Sequence, residues 1–262
     1  AIRGPEYSLF DVAKQDIELA RKFGLPISMH VGCGTFADKY KAVQQLAKAN
    51  LLGPDMNFAH CNFLIGEDFR LLADHGCSVS ITPEVEMQMG LGFPATGKAI
   101  AAGMAPSLGV DVVTAAGGDI FTQMRIALQT ERALANNSVL LSGEMPQKIG
   151  LNAADALTWA TINGAKALQL DKKTGSLTPG KQADLILLRT DLLNIAPVVI
   201  NPVNSIVSQA SSANIDTVFV AGKAVKRNGK LVDRDLAALR AKAKASSVYI
   251  YEKALVNSLH AG

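Results

Sequence analysis

Two histidines and an aspartate share one placement in this sequence. His30 closes the run Leu25-Pro-Ile-Ser-Met-His30, His60 closes Asp55-Met-Asn-Phe-Ala-His60, and Asp111 closes Pro106-Ser-Leu-Gly-Val-Asp111. Each is a short, largely apolar stretch that delivers one metal-competent or proton-competent side chain at its C-terminal end. An imidazole can bind a metal through one nitrogen or steady charge growing on a substrate, provided something fixes its tautomer. A carboxylate can bind the same metal and take a proton from its water. Each also has an ordinary reading: a satisfied structural histidine, or an aspartate capping a turn. Parallel β/α units point all strand ends the same way, so the recurrence favours one constellation of His30, His60 and Asp111.

The elements that must position them follow from periodicity. A helix is expected from Ser8, as cap, to Gly24, then a strand over 27–31, a helix over 39–49, a strand over 56–60 and a helix over 67–75. A third strand over 78–82 is stopped by Pro83, a short helix spans 97–102, and a fourth strand spans 105–110. Alternation at this spacing implies a parallel sheet. Helices are expected over 119–135, over 153–160 behind an Asn152 cap, and over 162–168. The turn-rich stretch Gly175-Ser-Leu-Thr-Pro-Gly180 marks a domain boundary near residue 174. Beyond it come short β runs at 183–188, 203–208, 217–220 and 224–226, then one amphipathic helix over 233–256.

The 262 residues, 48% hydrophobic and 19% charged, suit a globular protein with a substantial core. A net charge of +3 with dispersed lysines and arginines argues against nucleic acid as main partner. No apolar run reaches membrane-spanning length, and three cysteines without a CxxC pair suggest neither a disulfide framework nor a thiolate zinc cluster. A cytoplasmic home is expected. Cys33 lies close enough to His30 to share its pocket, or it is an inert packing residue. Glu84 and Glu86 follow Pro83 on a loop, where Glu86 either sits in a surface turn or hydrogen-bonds a nitrogen-rich substrate. Met87 and Met89 are expected to pack beneath that loop. His75, at a helix end, and His260, in the tail, read as structural.

Together these residues resemble the metal-dependent amidohydrolase superfamily, in the branch of cytosine and guanine deaminases, S-adenosylhomocysteine deaminase and triazine chlorohydrolases. Over nearly the whole chain, His30 resembles the metal-ligand histidine of barrel strand five. Phe58-Ala-His60-Cys-Asn resembles the strand-six histidine, and Ser107-Leu-Gly-Val-Asp111 the strand-eight aspartate. The most specific stretches are Ala160-Thr-Ile-Asn-Gly-Ala-Lys-Ala-Leu168 and Gly175-Ser-Leu-Thr-Pro-Gly-Lys-Gln-Ala-Asp184.

The resemblance implies an α/β fold: the C-terminal half of a (β/α)8 TIM-type barrel in residues 1–174, then part of a small β-sandwich and a C-terminal helix in 175–262. It implies a divalent metal, zinc in preference to iron, held by His30 and Asp111, whose water attacks a carbon bearing an amino or halide leaving group. The substrate would be a small N-heterocycle, with Asp111 moving the proton, His60 stabilising charge on the ring, and Cys33 and Glu86 against the substrate. Three departures stand out. The strand-one His-x-His pair is absent, so an N-terminal half is expected to be missing, or the chain to assemble as a homo-oligomer. Cys33 stands where the deaminases carry a glutamate, which favours another leaving group or proton donor. Val85-Glu86 replaces the usual Ser-Asn. The rival expectation is a non-catalytic remnant that binds partners through open sheet edges.

Overall fold

The computed structural model describes residues 1–198 and 200–259, with side chains of the last helix described as far as residue 254. His260 lies outside the described residues. In chain order the elements are α1 (Phe10–Lys22), β1 (Ile27–Val31), α2 (Phe36–Tyr40), α3 (Ala42–Lys48), β2 (Met56–His60), α4 (Gly66–Asp74) and β3 (Ser78–Ile81). Then come α5 (Pro83–Gln88), α6 (Thr96–Ala101), β4 (Ser107–Leu108), α7 (Ile120–Leu141), α8 (Ala153–Trp159) and α9 (Ile162–Ala167). The last part holds β5 (Leu185–Leu188), α10 (Pro202–Gln209), β6 (Ile215–Val220), β7 (Lys223–Arg227), β8 (Lys230–Leu231) and α11 (Leu236–Leu259).

The first four strands form one parallel sheet in the order β1-β2-β3-β4. Its two faces differ in chemistry because side chains alternate along a strand. Ile27, Met29, Val31, Met56, Phe58, Val79 and Ile81 are buried against Ile17 of α1, Val43 and Leu46 of α3, Phe69 and Leu72 of α4 and Ala99 of α6. The other face carries small and polar residues joined sideways. Asn57 Nδ2 donates to Ser78 Oγ (2.9 Å), Ser80 Oγ donates to Asn57 Oδ1 (3.1 Å), and the hydroxyls of Ser80 and Ser107 lie 2.8 Å apart.

A second core joins Phe121, Met124 and Leu128 of α7, Ala156 and Trp159 of α8, and Val207 of α10. The antiparallel sheet β5-β6-β7-β8 follows, with β6 and β7 joined through Ala221 and Gly222, both at positive φ as a two-residue hairpin requires.

Several expectations are corrected. The run 203–208 is not a strand but α10, because Pro202 sits in its first turn and Asn201 Oδ1 accepts the N–H of Asn204. The expected helix 39–49 breaks at Lys41, which adopts a left-handed conformation between α2 and α3. Ser8 does not cap α1; its hydroxyl donates to Gly4 O (2.9 Å) and Leu9 holds the N-cap position. Strand 105–110 shrinks to Ser107–Leu108, and Pro83 opens α5 instead of a loop. The terminal helix is present but buries no apolar face, since every described side chain from Leu236 to Ala254 is exposed. All three cysteines are free, and no helix among the described residues is long and apolar enough to cross a membrane.

Candidate active site

Parallel pairing of β1 with β2 sets His30 beside Ala59 and Val31 beside His60. Strict alternation would then send the two imidazoles to opposite faces. His60 escapes this because its own φ is +74° and that of Cys61 is +60°, so the chain leaves the extended conformation at the strand end. The two rings stack, with centroids 5.2 Å apart and planes 17° apart.

Behind His60 lies a buried acceptor. Glu86 is fully buried on α5, and its Oε1 takes the Thr82 backbone N–H (2.8 Å) and the Thr82 hydroxyl (3.1 Å). Oε1 also lies 3.2 Å from His60 Nδ1, and Thr82 Oγ1 lies 2.9 Å from the same nitrogen. Nδ1 therefore carries the proton, and Nε2 faces the remaining space. Burial opposes the imidazolium of His60, but the neighbouring Cys33 and the hydrogen-bonded Glu86 outweigh it, lifting its pKa to about 10. The pKa of His30 is lowered by desolvation and by the neighbouring His60, against an opposing pull from Asp111. The structure thus places Glu86 behind His60, not on the wall a substrate would touch; Pro83 starts a helix whose first turn swings residue 86 inward.

Asp111 follows the short β4 at φ +63°, with Oδ2 3.9 Å from His60 Nε2. His30, His60 and Asp111 line one cavity of about 500 Å3 together with Tyr7, Cys33, Phe36, Phe63 and Met89. Cys33 lines the cavity beside Tyr7 and His60, and the Tyr7 hydroxyl is raised above the usual phenol range by burial and by that neighbouring thiol. Tyr7 packs edge-on to His30 at 5.8 Å and to Phe36 at 5.6 Å. Met89 does not pack under its loop; it is 57% exposed and forms part of the cavity wall, while Met87 is 36% exposed. His75 holds its expected structural place, with Nδ1 2.8 Å from Leu71 O at the end of α4.

Three contributors escape local sequence patterns. Thr82 is visible in sequence only as a strand-end residue before a proline. Tyr7 and Glu6 belong to the N-terminal turn, and Glu6 is buried with Oε1 accepting the Gly32 N–H at 2.6 Å. Burial raises the Glu6 carboxyl, and the backbone N–H groups of Gly32 and Cys33 act against it.

Among the described residues, no group of three or more His, Cys, Asp or Glu side chains could hold a metal ion. His30 and Asp111 offer two donors where a catalytic zinc takes three protein ligands. These residues alone do not make a complete metal centre.

A family model described as the amidohydrolase family matches residues 10–225. The chain belongs to the amidohydrolase family. The 5'-deoxyadenosine deaminase of Methanothermobacter thermautotrophicus is 32% identical over 190 residues, covering 72% of this chain and 42% of that protein. A 5-methylthioadenosine/S-adenosylhomocysteine deaminase of Acetivibrio thermocellus is 29% identical over 226 residues, covering 83% and 50%. Among solved structures, an adenosine deaminase from Xanthomonas campestris with bound zinc superposes with a TM-score of 0.84 at 25% identity, covering 94% of this chain and 56% of that one. Atrazine chlorohydrolase from Arthrobacter aurescens, complexed with zinc, shares the fold at a TM-score of 0.78 and 21% identity, covering 93% and 53%. This amidohydrolase chain spans about half the length of the curated relatives it matches. These relatives bear out the resemblance to the amidohydrolase superfamily and its S-adenosylhomocysteine deaminase branch, and the chlorohydrolase shares the fold.

Proposed function

We propose that this chain is the C-terminal portion of a (β/α)8-barrel hydrolase that cleaves a C–N or C–halogen bond in a small N-heterocycle. On this reading residues 1–174 form the barrel portion and 175–262 part of a β-sandwich with its helix. The observation that carries it is the meeting of His30, His60 and Asp111, from three separate strand ends, on one cavity. The unclosed sheet adds support, since its small, polar face suits the inside of a barrel and its helix-covered face the outside.

His60 is the orienting and charge-stabilising group. With Nδ1 held by Thr82 and Glu86, it presents Nε2 to the cavity, toward charge developing on the ring. Asp111, 3.9 Å from that nitrogen, is placed to accept a proton in the same space. Tyr7, Phe36 and Phe63 give the cavity flat apolar walls suited to a planar heterocycle. Cys33, beside Tyr7 and His60, contacts the substrate where the deaminases present a glutamate.

A divalent metal, zinc in preference to iron, would take His30 and Asp111 as two of its ligands, the others coming from outside this chain, and when bound would make water nucleophilic near neutral pH. The test is to join this chain to an N-terminal barrel half bearing the His-x-His pair, then titrate zinc while assaying deamination and dehalogenation of N-heterocycles. Turnover that is lost in His60→Gln and Asp111→Asn supports the reading. A zinc-loaded complete protein without turnover on either substrate class overturns it.

The lack of a three-donor group among the described residues favours a second reading, a non-catalytic binding domain. Native mass spectrometry separates the two. A metal-free dimer of this chain supports the binding domain, and a metal-bearing complex with a second polypeptide supports the hydrolase.

A further inference from the structure

The N-terminal turn is built into the wall of the cavity. Ile2 N–H donates to Ser28 O (2.8 Å), laying the first residues along the β1 edge. Gly4 sits at φ +68°, where an added Cβ would come within 2.9 Å of Met29 Sδ, so the turn presses flat on β1. Pro5 then delivers Glu6 inward and Tyr7 onto the cavity. Glu6 is 4% exposed; its Oε1 accepts the Gly32 N–H at 2.6 Å, and its Oε2 has no partner among the described residues.

The loop it holds is under constraint from the other side as well. Gly32 has φ +74°, and a Cβ there would lie 2.9 Å from Leu64 Cγ. Its carbonyl accepts the Phe63 N–H at 3.1 Å, tying the loops after β1 and β2 together. A backbone N–H held at 2.6 Å by a buried carboxyl makes an anchor, since breaking it leaves a polar group unpaired in the interior. Residue 33 is the position at which the resemblance places a glutamate, and the carboxyl that reaches this loop comes instead from outside the strand.

We infer that Glu6 is a positioning residue of this site: it clamps the Gly32–Cys33 turn and thereby fixes the wall that Cys33 and Tyr7 present to the cavity. It acts through the turn and does not itself line the cavity. The inference goes beyond the hydrolase reading, because it can be tested without metal or turnover.

The experiment is alkylation of Cys33 by iodoacetamide in the native chain, with the buried Cys61 and Cys77 as internal controls. Glu6→Ala is expected to accelerate modification of Cys33 about tenfold through loss of the anchoring bond. Glu6→Gln, whose amide oxygen accepts the same Gly32 N–H, is expected to stay close to the wild-type rate. Equal rates in wild type and Glu6→Ala would overturn the inference, as would a Glu6→Gln rate equal to that of Glu6→Ala. Should Glu6→Ala not fold, amide hydrogen exchange in the wild type decides. Gly32 is expected to exchange at least about tenfold more slowly than Gly34. Equal exchange at the two glycines would overturn the clamp.

Discussion

Glu86 Oε1 lies 3.2 Å from His60 Nδ1, and the two side chains are 0% and 4% exposed. A carboxylate placed this deep is retained only where its partners repay the desolvation. Here Thr82 contributes two of the three contacts, so the carboxylate is oriented before His60 is considered. Glu86→Ala strips the acceptor from a buried histidine and a buried threonine and is expected to cost about 3–5 kcal/mol in urea unfolding. Glu86→Gln keeps an acceptor and should cost measurably less. Equal stability of Glu86→Ala and wild type would show that the contact does not hold His60.

The raised pKa of His60 gives a signed pH dependence. A group whose folded pKa of about 10 exceeds its ordinary value of about 6.5 contributes stability that is full below pH 6.5 and lost as pH rises through 10. The stability gap between wild type and His60→Gln should therefore narrow as the pH is raised from 6.5 to 10. Denaturant melts at stepped pH measure this, and a gap constant over that range would contradict it.

Arg21 and Asp55 give the opposite sign. Arg21 Nε and Nη2 donate to the two oxygens of Asp55 at 2.7 and 2.9 Å, tying α1 to the entry of β2. The guanidinium holds the Asp55 carboxyl below its usual range. Its contribution is present above the unfolded pKa of about 3.9 and lost as pH falls through the folded value. Both side chains are about a third exposed, so Asp55→Asn should cost only about 1 kcal/mol at pH 7 and nothing in strong acid. Paired unfolding curves at the two pH values check this.

How far these relationships could be read in advance depended on distance along the chain. Strands 27–31 and 56–60 announce themselves by apolar runs closed by a histidine, and the Asn152 cap by its side chain and the helix behind it. Residue type misassigned 203–208, since Val203, Ile206 and Val207 suit a strand by composition while their i, i+3, i+4 spacing is that of a helix. The deciding signal was Asn201-Pro202, a cap and a first-turn proline. Glu86 read as a loop residue because Pro83 looked like a strand stop, when it was also a helix start. Glu6 had no local signature. Its burial is set by Gly32 N–H, 26 residues away, and only the folded chain brings them together.

Gly175, in the turn after α9, is held at φ +86° with an added Cβ 2.5 Å from Ala165 Cβ and 3.2 Å from the Ile162 backbone. Gly175→Ala combines left-handed strain with overpacking, and is expected to destabilise by about 2–4 kcal/mol. Gly180→Ala, at φ +89° with nothing within 4 Å, carries the strain alone and should cost about 1–2 kcal/mol. Thermal melts of the pair separate packing from backbone strain; equal losses would show that packing against α9 is not the cause.

The most direct measurement of the site is zinc content after exhaustive dialysis of the joined, complete protein, compared among wild type, His30→Ala, Asp111→Ala and His60→Gln. The expected result is bound zinc in wild type, a loss of about tenfold or more in affinity in His30→Ala and Asp111→Ala, and retention in His60→Gln, which lies beside the ion without holding it. Zinc held undiminished by both His30→Ala and Asp111→Ala would contradict a shared centre at these strand ends.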